Sequence, residues 1–169
     1  MTNRIQELTV NDVWRDEQDA WNNRSNYFVE MHNRDDRKAQ VTEFLSFLKD
    51  ENLLPPKDGC TLDIGCGVCD YALGLAREGH KATGIDLSDG MIRGAKQLAE
   101  SEGLNLSLYI APWSDETRRE LKWDKTFDLT YSIFCPIMFD VENIRAMHES
   151  SKDKCLWIAF SERSDETVD

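Results

Sequence analysis

Four residues, Asp63, Gly65, Gly67 and Asp86, carry the most readable chemistry in this chain. They sit in Thr61-Leu-Asp-Ile-Gly-Cys-Gly67 and Gly84-Ile-Asp86-Leu-Ser88. Glycine at 65 and 67 lets the backbone turn tightly and approach a ligand with no Cβ in the way. Amides that open a helix after such a turn can donate to an anionic group. A carboxylate at the end of the following strand can accept from both hydroxyls of a ribose. Asp63 either touches the ligand or organises the loop by accepting amide hydrogens. Together they describe a nucleoside pocket.

The flanking sequence supplies the elements that would hold these residues. Val41, Phe44, Leu45 and Leu48 fall on one face of an amphipathic helix, which Pro55-Pro56 prevents from continuing. Cys60–Ile64 reads as a short buried strand, and Asp70–Glu78 as a helix closed by Gly79. Lys81–Asp86 is a second strand. Ser88 is the N-cap of a helix whose inward face is Met91, Ile92, Ala95, Leu98 and Ala99. Leu104, Leu106, Leu108 and Ile110 alternate as a third strand, and Ser114 opens a short acidic-start helix. Phe127–Ile133, a helix over 140–150 and Cys155–Phe160 complete the series. Strands alternating with helices imply right-handed βαβ units and a mostly parallel sheet. Residues 1–34 read as polar and irregular, with Trp14, Trp21, Tyr27 and Phe28 set among acids and asparagines.

Composition bounds the rest. The 169 residues suit one domain, with 1–54 as a helical cap and 55–169 as the core. No run approaches the roughly 20 apolar residues of a membrane span. The first residues lack the apolar core of a secretory signal, so the cytoplasm is the expected location. A net charge of −12 disfavours a nucleic-acid backbone or an anionic membrane as partner. The cysteines, Cys60, Cys66, Cys69, Cys135 and Cys155, are five in number, an odd count without a secreted framework's spacing. All but Cys69 lie in or beside apolar strand-like segments, as buried reduced thiols do.

With Leu62-Asp-Ile-Gly-Cys-Gly67, Gly84-Ile-Asp86-Leu-Ser88 and Phe127-Asp-Leu-Thr-Tyr-Ser132 in order, the chain resembles class I S-adenosylmethionine-dependent methyltransferases over about residues 20–160. The resemblance implies a Rossmann-like three-layer α/β/α sandwich with a mostly parallel sheet, its five strands in the order 3-2-1-4-5. It also implies S-adenosylmethionine as cofactor and a small-molecule methyl acceptor. Asp63, Gly65, Cys66 and Gly67 match the loop that cradles the methionine moiety. Asp86 matches the ribose ligand, with Leu87 and Met91 beside the nucleoside. Pro112, Trp113 and Ser114 stand at the adenine loop, and Ser132, Ile133 and Phe134 open toward the methyl. Trp21, Arg24 and Tyr27 resemble an element folded over the cofactor, with Arg24 reaching its carboxylate. Tyr27 and His32 are the candidates for a catalytic base. No metal is required.

Three departures stand out. Cys69 replaces a third glycine, which is tolerable if its φ is negative. Ala111-Pro-Trp113 replaces an acid, leaving Trp113 to stack on the base. Two further strands common in the family have no sequence after Phe160. A short form or truncation is then expected, either inactive without a partner or pairing with another chain through an exposed fifth strand. Cys66-Gly-Val-Cys69 offers a rival reading as a dithiol redox protein, half a zinc site, or a disulfide that distorts the cofactor loop.

Overall fold

The computed structural model describes residues 3–160. Six strands form one sheet, β1 (Ile5–Glu7), β2 (Cys60–Ile64), β3 (Lys81–Asp86), β4 (Ser107–Ile110), β5 (Phe127–Ile133) and β6 (Ser151–Ile158), in the order β1-β4-β3-β2-β5-β6. Every adjacent pair is parallel. The last five strands reproduce the expected order, and β1 extends the sheet beyond it.

That extra strand corrects the reading of the N-terminal residues as irregular. β1 has no apolar alternation, because its pairing is main-chain to β4 and its side chains are half-buried or exposed. Asn3 prolongs the pairing. Its Nδ2 donates to the Leu104 carbonyl at 3.2 Å and its Oδ1 accepts from the Leu106 amide at 2.6 Å. Two short helices follow, α1 (Arg15–Asn22) and α2 (Ser25–Met31), before the longer α3 (Asp35–Asp50). α3 buries Val41, Phe44 and Leu48, three of the four residues on its expected apolar face.

On one face of the sheet lie α3, α4 (Asp70–Arg77) and α5 (Asp89–Ser101); on the other lie α6 (Asp115–Glu120) and α7 (Val141–Ser150). Residue alternation divides the strands between these layers. Leu62, Ile64 and Ile85 pack with Trp113, Trp123 and Met147 on the α6/α7 side. Leu129 and Tyr131 pack with Phe44, Leu48 and Tyr71 on the opposite side. The caps form as expected: Ser88 Oγ accepts from the Met91 amide at 3.0 Å, and Ser114 Oγ from the Thr117 amide at 3.1 Å. Gly79 ends α4 at φ +94, a backbone shape that costs glycine little.

β6 begins earlier than expected, at Ser151, and is an edge strand paired only to β5 among the described residues. Residues 161–169, where further strands would have to begin, lie outside the described residues. Cysteine placement also differs from expectation. Cys69 is fully buried and Cys155 is exposed, while Cys60 and Cys135 are partly buried; all five are free thiols. No helix among the described residues is long and apolar enough to cross a membrane.

Candidate functional site

Sheet order reverses at β2, since β3 and β4 run outward on one side of it and β5 and β6 on the other. Such a switch point leaves a crevice beyond the carboxyl ends of the strands. A cavity of about 530 Å³ lies there, within the range of small-molecule sites. Its inner end is lined by Asp63, Gly65, Cys66, Gly67, Asp86, Leu87, Met91, Pro112 and Trp113. Its outer end is lined by Trp14, Trp21, Tyr27, Met31, Arg37, Phe134 and Ile137.

The glycine loop is held by its neighbours. The amides of Gly65 and Cys66 donate to the Ile85 carbonyl at 2.9 and 3.1 Å. The Gly67 amide donates to Asp86 Oδ2 at 2.8 Å, and the Ser88 amide to Asp86 Oδ1 at 2.8 Å. These loop amides therefore organise the turn, which leaves any anion-binding role to the amides that open α4 at Asp70. Gly65 and Gly67 lie at φ +68 and +54, and Cys135 Sγ fills the space where a Cβ on residue 65 would stand. Each Asp86 oxygen keeps a lone pair for a ribose hydroxyl. Burial raises the Asp86 pKa, while the two amides lower it.

Asp63 is 2 % exposed, and its Oδ2 has no hydrogen-bond partner among the described residues. Burial, with repulsion from Asp86 and Asp70, pushes its pKa up to about 8. The buried Tyr131 hydroxyl lies beside the carboxyl and opposes that rise by hydrogen bonding.

The condition set for Cys69 is not met, because its φ is +64, the left-handed region where glycine would sit without penalty. A residue with a Cβ is strained there by about 1–2 kcal/mol. Burial raises the pKa of both Cys66 and Cys69. The acidified thiol of a dithiol oxidoreductase is therefore not built here. Among the described residues no cluster of three or more histidine, cysteine or acidic side chains could hold a metal.

Two proposed contacts lie elsewhere. Arg24 stacks on the Trp21 ring at 5.1 Å and does not line the cavity. Arg37, at the start of α3, stands in the cavity wall instead, with Nε on Asp70 Oδ2 at 2.6 Å and its guanidinium over Tyr71. Sequence periodicity missed Arg37 because it marked only the buried face of α3. His32 is also outside the cavity. Its Nδ1 meets Asp70 Oδ1 at 2.5 Å and its Nε2 meets Glu102 Oε1 at 3.1 Å, in a network that runs from buried Asp70, which also pairs with Arg37, out to the exposed Arg77–Glu102 pair. A histidine held between two carboxylates is a cationic brace, and it cannot serve as a base toward the cavity.

Ser132 and Ser114 are structural as well. Ser132 Oγ donates to the Ile64 carbonyl at 2.8 Å, and Ser114 caps α6. Trp113 is fixed by its indole donating to the Asn143 carbonyl at 3.1 Å. Two polar residues that the sequence did not reveal seat the N-terminal helices over the β3–α5 junction. Gln18 donates to the Leu87 carbonyl at 2.9 Å, and Asn22 Oδ1 accepts from Ser88 Oγ at 2.6 Å and from the Gly90 amide at 3.0 Å. Gly90 and Gly94 let Ser25 and Val29 of α2 approach α5, where a Cβ would clash at 2.7 and 2.6 Å.

A family profile described as "Methyltransferase domain" matches residues 61–153. A Geobacillus sp. (strain WCH70) protein named as a methyltransferase is 35% identical over 74 residues, covering 44% of this chain and 28% of its own. A 23S rRNA uracil methyltransferase of Marinomonas posidonica is 32% identical over 101 residues, covering 57% of this chain and 23% of its own. The chain thus spans less than a third of the length of either relative. Among solved structures, magnesium protoporphyrin IX methyltransferase of Synechocystis PCC 6803 superposes with a TM-score of 0.56 at 20% identity. That match covers 85% of this chain and 72% of the other. A Pyrococcus horikoshii protein gives a TM-score of 0.62 at 22% identity over 78% of this chain and 58% of its own. The profile match spans more than half of the chain, so it belongs to the methyltransferase-domain family and has the fold of the S-adenosylmethionine-dependent class I enzymes.

Proposed function

We propose that this chain moves the methyl group of S-adenosylmethionine to a small acceptor admitted at the outer end of the cavity. The observation that carries the reading is Asp86, half-buried in the cavity wall at the switch point, each of its oxygens accepting one amide and keeping a spare lone-pair site. Two related structures are described with this cofactor or its demethylated product bound, which supports the same choice.

In this reading Asp86 takes the ribose hydroxyls, with Leu87 and Met91 along the nucleoside. Pro112 and Trp113 border the adenine. Asp63 meets the ammonium of the methionine moiety, and Arg37, not Arg24, meets its carboxylate. Gly65 and Gly67 allow the close approach, and Cys66 lines the floor between them. Trp21 and Tyr27 close the cavity from above. When bound, S-adenosylmethionine supplies a methyl group already activated for in-line displacement. The chain's own residues therefore need to align and to exclude water. Ile133 and Phe134 border the methyl side, and Tyr27 is the sequence candidate for a proton acceptor that does line the cavity.

An apolar outer wall and a net charge of −12 favour a small acceptor over a polyanion. Similarity to 23S rRNA methyltransferases makes an RNA acceptor the second reading. The edge of β6 is the place where a second copy or a partner chain would pair. Calorimetric titration with S-adenosylmethionine and with S-adenosylhomocysteine tests the cofactor, and micromolar binding is expected. Mass-spectrometric turnover on small acceptors and on RNA tests the rest. RNA methylation without small-molecule turnover would reverse the choice of acceptor.

A further inference from the structure

Cys66 and Cys69 are joined by more than sequence. Cys69 Sγ donates to Cys66 Sγ at 3.0 Å, and Cys66 Sγ in turn faces the Gly67 carbonyl at 3.5 Å. The Cys69 amide donates to the Cys66 carbonyl at 2.9 Å, closing a four-residue turn. Such a turn holds its end Cα atoms within about 7 Å, a spacing close to what a disulfide requires. Gly84 on β3 makes room for both sulfurs, since a Cβ there would stand 2.5 Å from Cys69 Sγ and 2.9 Å from Cys66 Sγ. Of the two, Cys66 lines the cavity, whereas Cys69 has no exposed surface.

We propose that Cys66 and Cys69 form a disulfide when the cavity is empty, and that cofactor in the cavity shields them from oxidation. A small peroxide entering the cavity meets Cys66 first. The Cys66 thiolate attacks one peroxide oxygen and becomes a sulfenic acid, releasing hydroxide. The Cys69 sulfur then displaces the sulfenic oxygen as water, forming the S–S bond. Each disulfide consumes one peroxide and two thiol hydrogens. Closing the gap from 3.0 Å to a bond of about 2 Å asks for a shift of about 1 Å within one turn. Burial raises both thiols, so the reaction is slow at neutral pH and accelerates as pH rises. Shielding by cofactor rests on the function proposed above; formation of the bond does not.

The test treats ligand-free protein with hydrogen peroxide and maps cysteines by peptide mass spectrometry, with and without S-adenosylhomocysteine. The expected product is a Cys66–Cys69 crosslink lighter by two hydrogens and reversed by dithiothreitol. Ligand at 100 times its dissociation constant leaves about one site in a hundred empty, so oxidation should slow about a hundredfold. Cys69→Gly suits the left-handed backbone and should fold, leaving a Cys66 sulfenic acid that dimedone traps. A Cys66–Cys135 crosslink, or Cys66 and Cys69 both reduced while exposed Cys155 oxidises, overturns the assignment. Oxidation at an unchanged rate with calorimetrically saturated protein overturns the shielding. If calorimetry detects no ligand binding, the proposed function and the shielding fail together, and the crosslink alone decides the disulfide.

Discussion

The two ends of the cavity are built by different means. At the inner end, strand termini and the glycine loop are bound by main-chain hydrogen bonds and to the Asp86 carboxylate, and Asp63, Cys66, Met91 and Trp113 are buried. At the outer end, helices α1 to α3 and the turn after β5 present Tyr27, 58 % exposed, and Phe134, 44 % exposed. Phe134 adopts a left-handed φ of +54 and stacks on Phe160 at 4.2 Å, held by its amide on the Ile158 carbonyl at 2.8 Å. The inner end is fixed before any ligand arrives. The outer end spends its order on shape, with an aromatic wall and no histidine among its lining residues. A fold can therefore specify a common cofactor rigidly and leave the acceptor to exposed side chains on less constrained segments.

Perturbing the inner end should do the most damage. Asp86→Ala removes two charge-assisted contacts to the ribose and the partner of the Gly67 amide, so cofactor affinity should fall about a thousandfold by calorimetry. An affinity within threefold of wild type would break the comparison.

The next effect concerns the brace beneath the outer end. His32→Gln leaves Asp70 and Glu102 short of a partner and should cost about 3 kcal/mol in chemical denaturation. Hydrogen bonding to Asp70 leads the causes that raise the His32 pKa above its usual 6.5, outweighing burial. The stabilisation from His32 is thus fully present below pH 6.5 and is lost as pH rises through the raised value. Asp70 and Glu102, both lowered, add stability above their ordinary values and lose it on acidification. The variant should lack the alkaline loss and keep the acid one.

Asp63 sharpens the comparison by pH. Its pKa of about 8 leaves most of the folded, ligand-free protein protonated at neutrality. A ligand ammonium needs the anion, so affinity should weaken about tenfold for a unit of pH below 8. The same raised value means that stability falls as pH rises from the ordinary carboxylate range toward 8. Asp63→Asn should flatten both profiles. Arg37→Met should weaken cofactor binding about tenfold, while Arg24→Met leaves it unchanged. The smallest effect on cofactor belongs to Phe134→Ala, which should bind it normally yet alter the acceptor preference in a turnover panel.

Legibility in the sequence follows the same division. Gly65, Gly67 and Asp86 could be read because a tight turn and a strand-ending acid leave local residue signatures. The parallel βαβ layout could be read because apolar runs alternate with helical ones, whereas the strand order came with the family resemblance. β1 could not, since its three residues are placed by backbone pairing and by the Asn3 amide. Arg37 was missed and His32 taken for a base because their roles depend on Asp70, more than thirty residues away. The left-handed Cys69 is a backbone property that a residue type disfavouring it cannot announce.

β1 has a mechanical consequence for the helices that follow it. It fastens the start of the chain to the outer edge of the sheet, and β2 fastens the next strand at the sheet's middle. Helices α1 to α3 therefore span the cavity like a belt buckled at both ends. A flap hinged at one end could swing free, but a belt can open only by sagging or sliding between its buckles. In the proposed reaction, acceptor and product would pass at the side of the belt, where Tyr27 and Phe134 are exposed.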